Sequence, residues 1–285
     1  MADLDFPGGG EPQGPDLTKD GGNAFWDGAG QDGVDAALDG SPVDTGFGDA
    51  KNTDKDATPP GPKYAAEVRT DRPVGYWRLG EPSGTASRDE IAGNAGTYEQ
   101  GVFLGAAGVV SNDTAARFDG QSGSRVRVGD VFDFSGKAPC TLEAWVKWDG
   151  GNAAYIIAKK SAIDGTGYLL LVNPSPVASN QAIWIYTRTL GDRTDVVSYT
   201  TSVSTKFAHV VATFDGMRGR IFYNGVEAAS ASFGLSILGT GATLSFGANS
   251  GGDHAFKGSL DEIAIYDRAL TADRIQAHYN AANSK

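Results

Sequence analysis

The 285-residue sequence predicts an all-β fold: an antiparallel β-sandwich at residues 63–285, preceded by an acidic arm at 1–62 and closed by a short helix. Three observations predict it. From about residue 64 onward, short runs of alternating apolar and polar residues are separated by Gly, Asp, Asn and Pro, the punctuation of antiparallel strands. Between two such runs stands Asn224-Gly225, which accepts the positive φ values of a type I′ turn, so 220–229 reads as a hairpin. The charge is also segregated: residues 1–62 hold twelve Asp, one Glu, three Lys and no Arg, a net −10 of the chain's −11.

The arm is rich in Gly, Asp and Pro. It cannot bury enough apolar surface to offset backbone ordering at roughly 1–2 kcal/mol per residue, so it reads as an extended or disordered segment. Its two neighbouring large aromatics, Phe25 and Trp26, are its candidates for docking on a partner. The run from Asp35 through Asp39-Gly40 lacks the carboxylates at loop positions three and twelve that an EF-hand needs. Met1 is followed by Ala-Asp-Leu-Asp, which offers neither a basic nor an apolar region of a signal peptide, and no run approaches the roughly 18–20 apolar residues of a membrane span.

Within the body, 141–148 alternates cleanly. Leu142, Ala144, Val146 and Trp148 share one face, and Thr141, Glu143, Trp145 and Lys147 the other. Run 183–188 alternates as well, and placing Ile183 and Ile185 inward turns Trp184, Tyr186 and Arg188 outward. Flat rings stack on the apolar faces of sugars and an Arg fork binds hydroxyls or carboxylates, so these three form a candidate ligand row. The loops 152–155 and 250–254, rich in small and polar groups, are expected to line the same face. Trp77 and Trp145 sit in apolar strand patterns and read as packed, as does the lone Cys140. In 260–267, inward-facing Ile263 and Ile265 place Asp261 on that same face. The closing helix spans 272–281, with Thr271 as cap and Asp273 near its positive end; no other helix competes with the strands.

The closing stretch from Gly258 to Tyr279 joins its strand to a helix in a way that resembles the end of laminin-G-like, concanavalin A-like jelly-roll domains. The same family is echoed by Pro73-Val-Gly-Tyr-Trp-Arg-Leu-Gly-Glu81, by Asp89 with Gly93-Asn94 and Gly96-Thr-Tyr98, by Arg117-Phe-Asp-Gly120, and by Thr141-Leu-Glu-Ala-Trp-Val-Lys147. Five segments in family order cover residues 64–282. The resemblance implies a structural Ca²⁺ held by Asp89, Asn94 and Asp261 with main-chain oxygens completing the shell, Asp119 being a weaker addition. The bland alternative is that Asp89 and Asn94 bond their own turns and Asp261 caps a loop.

Catalysis is not expected. The family's laminarinase-type enzymes carry alternate carboxylates on one strand, and this chain shows no such spacing. Asp261 and Glu262 are adjacent, which on a regular strand puts them on opposite faces; Glu143 has no acidic partner at i+2 or i+4. His209, His254 and His278 lie far apart in sequence, without a nucleophile or metal-ligand spacing. The near-neutral body and acidic arm disfavour nucleic acid, and no basic amphipathic stretch suggests a membrane surface. The expectation is a non-catalytic recognition or adhesion module, glycan-binding, displayed on a phage virion or bacterial surface. The alternatives are a structural virion component (capsid decoration or tail) docked on shell or fibre proteins through residues 1–62 and, less favoured, a divergent glycoside hydrolase.

Overall fold

The computed structural model describes residues 63–284. The acidic arm, with Phe25 and Trp26, lies outside the described residues. In order along the chain are α1 (Lys63–Thr70), β1 (Gly75–Trp77), β2 (Ala86–Ser87), β3 (Gly96–Tyr98), β4 (Val102–Ala107), β5 (Thr114–Asp119), β6 (Val126–Gly129), β7 (Cys140–Trp148) and β8 (Ala154–Lys160). There follow β9 (Gly167–Pro174), β10 (Gln181–Leu190), β11 (Arg193–Ser202), β12 (Ala208–Phe214), β13 (Arg218–Tyr223), β14 (Val226–Ser232), β15 (Leu244–Phe246), β16 (Lys257–Tyr266) and α2 (Ala272–Asn283).

The strands form two antiparallel sheets. One runs β14-β13-β12-β7-β16-β5-β4 with β1 added against β16, and the other runs β11-β10-β9-β8-β15-β6-β3-β2. Their inner faces meet in one core that includes Leu142, Val146, Trp77, Leu170, Trp184 and Phe246. Each such buried side chain contributes about 1.5–3 kcal/mol relative to exposure. The expected hairpin forms at Asn224-Gly225, whose φ values of 51° and 84° are those a type I′ turn requires.

The first sheet is covered on its outer face too. Trp145, Val211, Phe222, Ala264 and Tyr266 pack under Tyr64, Ala65 and Val68 of α1 and Ile275 of α2. Helix α1 is a departure from the sequence reading. Its eight residues show too little periodicity to announce a helix, and packing on the sheet stabilises it instead. Thr271 does occupy the N-cap of α2, but its side chain makes no capping bond. Its main-chain carbonyl accepts from Ile275 N at 3.1 Å.

Two strand readings are corrected. In β10 the alternation holds but the faces are exchanged: Trp184, Tyr186 and Arg188 lie inside, 4, 0 and 0 % exposed, and Ile183 and Ile185 are half-buried on the outside. Both sets of side chains are largely apolar, so alternation alone does not say which faces in. The larger rings fill the roughly 10 Å gap between sheets. Arg188 tolerates this because Nη2 donates to the carbonyls of Phe134 (2.9 Å) and Gly136 (3.1 Å), and its guanidinium lies 4.2 Å from the Phe214 ring centre.

In β16 the regular pleat is broken. Leu260 pairs with Val146 and Asp261 with Trp145, then the register slips and Ala264 pairs with Glu143. Glu262 is the extra residue, with φ 51°. The slip falls where the neighbour of β16 changes from β5 to β1. Ile263 and Ile265 do face the core, but Asp261 shares the outer face with Trp145. Glu262 bonds Tyr76, another outer-face residue, so the two adjacent carboxylates share a side that a regular strand would deny them.

Candidate functional site

Among the connections that the strand pairings bring to one end of the sandwich are 120–125, 149–153, 175–180, 203–207 and 247–256. Loop 149–153 stands between two clefts. The first, about 270 Å³, is lined by Ser122, Asn152, Ala153, Gly252, Asp253 and His254. The expected convergence of 152–155 with 250–254 is therefore present, although Trp184 takes no part in this cleft.

This cleft is braced from below. Asn249 Oδ1 accepts from Gly251 N and Asp253 N, both at 2.8 Å, shaping the loop as an Asx turn. Arg125, paired with Glu99 at 2.6 Å, donates to the carbonyl of Asn249 at 3.1 Å. Tyr155 N donates to His254 O at 3.0 Å, and the two rings stack with centroids 4.6 Å apart. Gly252 has φ 89° and its missing Cβ would sit 2.9 Å from the Gly123 backbone, so the two loops approach this closely only with glycine at 252. His254 and Asp253 are exposed. Burial, then the nearby charge of Asp253, pushes the Tyr155 hydroxyl above its ordinary range, which keeps it a neutral donor. The cleft thus offers the carboxylate of Asp253, the amide of Asn152, the hydroxyl of Ser122 and the exposed ring of His254 on one braced frame.

The second cleft, about 900 Å³, includes Trp148, Asp149, Gly150, Ser175, Val203 and Ser204 in its lining. At its floor a pit of about 10 Å³ shares Trp148, Val203 and Ser204 and adds Trp184, Lys206 and Tyr223.

The residues expected to bind Ca²⁺ have other partners. Asp89 Oδ1 accepts from Tyr76 N and Ile91 N at 3.0 Å each, and Oδ2 from Ala92 N (3.3 Å), Asn94 N (3.0 Å) and Asn94 Nδ2 (3.2 Å). Five N–H donors fill the lone pairs of that carboxylate, so it does not fit a cation. Asp261 Oδ2 accepts from Val109 N at 2.8 Å, and Oδ1 is buried without a partner. The positive charge near it is Arg78, which binds Asp113 and donates to Glu262 at 3.1 and 3.2 Å. Burial, then the charge of Glu262, raises the Asp261 carboxyl well above the carboxylate range; burial raises Glu262 to about 7 against the opposing pull of Arg78. Among the described residues no group of three or more His, Cys, Asp or Glu is placed to hold a metal.

A second polar cluster was hidden from sequence by distance along the chain. Glu143, fully buried, accepts from Tyr64 OH (2.7 Å) and Tyr266 OH (2.9 Å) and faces His209 Nε2 (2.8 Å) and His278 Nδ1 (3.0 Å). These side chains come from α1, β7, β12, β16 and α2, so the cluster ties both helices to the sheet. The pairing of Ala208–Phe214 with β7 places His209 opposite Trp145, and only the docking of α2 completes the set.

A family profile described as the concanavalin A-like lectin/glucanases superfamily matches residues 119–276, more than half of the chain. The chain belongs to the concanavalin A-like lectin/glucanase superfamily. No curated protein sequence matches it at a significant level. Among solved structures, the superfamily sandwich is similar to the binding domain of Paraclostridial mosquitocidal protein 1, with TM-score 0.54 and 15 % identity over 72 % of this chain and 51 % of that one. It is likewise similar to the botulinum neurotoxin serotype G binding domain, with TM-score 0.55 and 13 % identity over 73 % and 50 % of the two chains. A third is the botulinum neurotoxin serotype D ligand binding domain in complex with N-acetylneuraminic acid, with TM-score 0.54 and 15 % identity over 76 % and 52 %. The match spans about half the length of each of these structures and, at such identity, shows the shared fold. No described helix is long and apolar enough to cross a membrane.

Proposed function

We propose that this protein is a non-catalytic glycan-recognition module that binds sugar in the cleft of Asn152, Asp253 and His254. The observation that carries the reading is the convergence of an exposed carboxylate, an amide and a stacked ring on one braced frame at the loop end of the sandwich. A carboxylate accepts from two vicinal hydroxyls and an amide both donates and accepts. A flat ring covers the apolar face of a pyranose. The superfamily includes lectins, and one similar structure was solved with a sugar bound, which supports the reading.

Catalysis by the buried carboxylates is disfavoured because they have no access to substrate. Asp261, Glu262 and Glu143 are all 0 % exposed and are engaged by protein donors. Display on a virion or bacterial surface would suit such a module, with residues 1–62 as its tether. The test is a glycan array followed by titration of the best hit against the full chain and an Asp253→Ala variant. Loss of binding in the variant with an unchanged unfolding midpoint supports the cleft. Retention of full affinity, or hydrolysis of the bound glycan, sinks the proposal.

A further inference from the structure

We infer that the sugar ligand is an oligosaccharide whose chain runs over loop 149–153 and occupies both clefts at once. This rests on the glycan reading and adds the ligand's length and path. The two clefts are neighbours along the backbone: Lys147 through Gly151 line the second, and Asn152 and Ala153 line the first. The crest between them carries no side chain. Gly150 and Gly151 hold φ values of 85° and 120°, and a Cβ built on either would meet no atom within 4 Å. The crest is therefore open, and only glycine main chain separates the two linings along the loop.

The volumes divide the ligand between the clefts. At about 270 Å³ the first falls below the roughly 300–1,000 Å³ of pockets that enclose a whole small molecule, so it takes a single ring. The second, about 900 Å³, has room for the rings that follow, and its lining suits them. Ser204 Oγ accepts from Lys206 N at 3.0 Å and Ser175 Oγ from Val177 N at 3.2 Å, which fixes both oxygens and leaves both protons to donate. The exposed hydroxyls of Ser179 and Thr205 make no hydrogen bond among the described residues. Asp149, the one carboxylate of this lining, is engaged by Arg117 at 2.8 Å. Pro174 and Val203 add exposed apolar surface beside these hydroxyls. A sugar chain likewise presents hydroxyls beside C–H faces, and each further ring adds contacts without a second loss of overall translational freedom.

The experiment is a titration of the isotope-labelled full chain with gluco-, xylo-, manno- and chito-oligosaccharides, followed by nuclear magnetic resonance of its backbone amides. Each sugar is used as the monosaccharide and as the hexasaccharide. The expected result is that for at least one sugar the monosaccharide shifts only first-cleft amides such as those of Asn152 and Asp253. Its hexasaccharide shifts these together with the amides of Gly150, Ser179 and Thr205, and binds at least about tenfold more tightly. Gly150→Asn, which puts a side chain on the open crest at a positive φ that Asn tolerates, should remove that gain and leave the monosaccharide's affinity as it was. A hexasaccharide that shifts the amides of one cleft alone overturns the two-cleft path, and the glycan reading survives when that cleft is the first. A gain with length that persists in Gly150→Asn overturns the path as well, because sliding of a chain through a single seat would produce it. If neither form of any sugar shifts a signal, both readings fall together.

Discussion

His278 Nδ1 lies 3.0 Å from Glu143 Oε1, and the same ring's Nε2 lies 2.9 Å from Asp71 Oδ2. An ionised carboxylate only accepts, so a ring bonded to two of them must donate from both nitrogens, and His278 is an imidazolium. Burial opposes that charge, but Glu143 and then Asp71 outweigh it and raise the imidazole above its ordinary range. Arg274, which reaches Asp71 at 2.8 Å and Glu67 at 2.5 Å, extends the same network across α1 and α2.

This gives stability a defined pH dependence. A raised His contributes fully below its unfolded value of about 6.5, and its contribution is lost as pH rises through the folded value. Burial raises and the His278 charge lowers the Glu143 carboxyl, with a net shift well below the usual range; its contribution is present above about 4.3 and lost as pH falls through the folded value. Urea midpoints measured across pH are therefore expected to peak between these limits and to decline on the alkaline side. His278→Gln should flatten that alkaline decline. An unchanged alkaline limb in the variant would remove the imidazolium from the account.

Glu143→Ala should be the most damaging single change in this layer. It takes one of the two carboxylate partners from His278, removes the partner of His209 Nε2 and leaves two Tyr hydroxyls without their acceptor. Breaking a buried charge pair costs about 3–5 kcal/mol, which is a large share of a domain's total stability. Equilibrium unfolding of the variant checks the size, and a loss under about 1 kcal/mol would mean that the cluster adds little.

Much of this architecture is legible in sequence, and the failures have identifiable causes. The two faces of β7 and the Asn224-Gly225 turn are local, so alternation and turn chemistry find them. Which face of β10 turns inward depends on how much volume the opposite sheet leaves, which no local pattern records. The bulge at Glu262 arises where β16 changes neighbours, and the Glu143 cluster joins residues more than 60 positions apart. The first cleft was half visible: small polar loops marked 152–155 and 250–254, but nothing local showed that they would touch.

The resemblance-based Ca²⁺ set and the observed hydrogen bonds predict opposite outcomes. With Asp89 saturated by N–H groups, millimolar CaCl₂ should leave the thermal midpoint where EDTA leaves it. Asp89→Ala should lower both midpoints equally, because what it removes is a loop scaffold. A bound ion at 100 times its Kd would add about 2.7 kcal/mol, so a calcium-dependent rise of several degrees is easily seen and would restore the metal.

Asp261 offers the opposite test, a change that should stabilise. Its Oδ1 is buried without a partner, and burial together with the charge of Glu262 disfavours its ionised form. A carboxyl raised in the folded state loses stability as pH climbs from its unfolded value of about 3.9 toward the folded one. Asp261→Asn removes the charge and keeps an oxygen that can accept from Val109 N, at 2.8 Å in the native chain. The variant should therefore equal the parent only below about pH 3.9 and gain on it as pH rises, exceeding it above neutrality by about 1 kcal/mol or more. A variant less stable than the parent at pH 8 would mean that the carboxylate is ionised there and is balanced by Arg78 or by a bound cation.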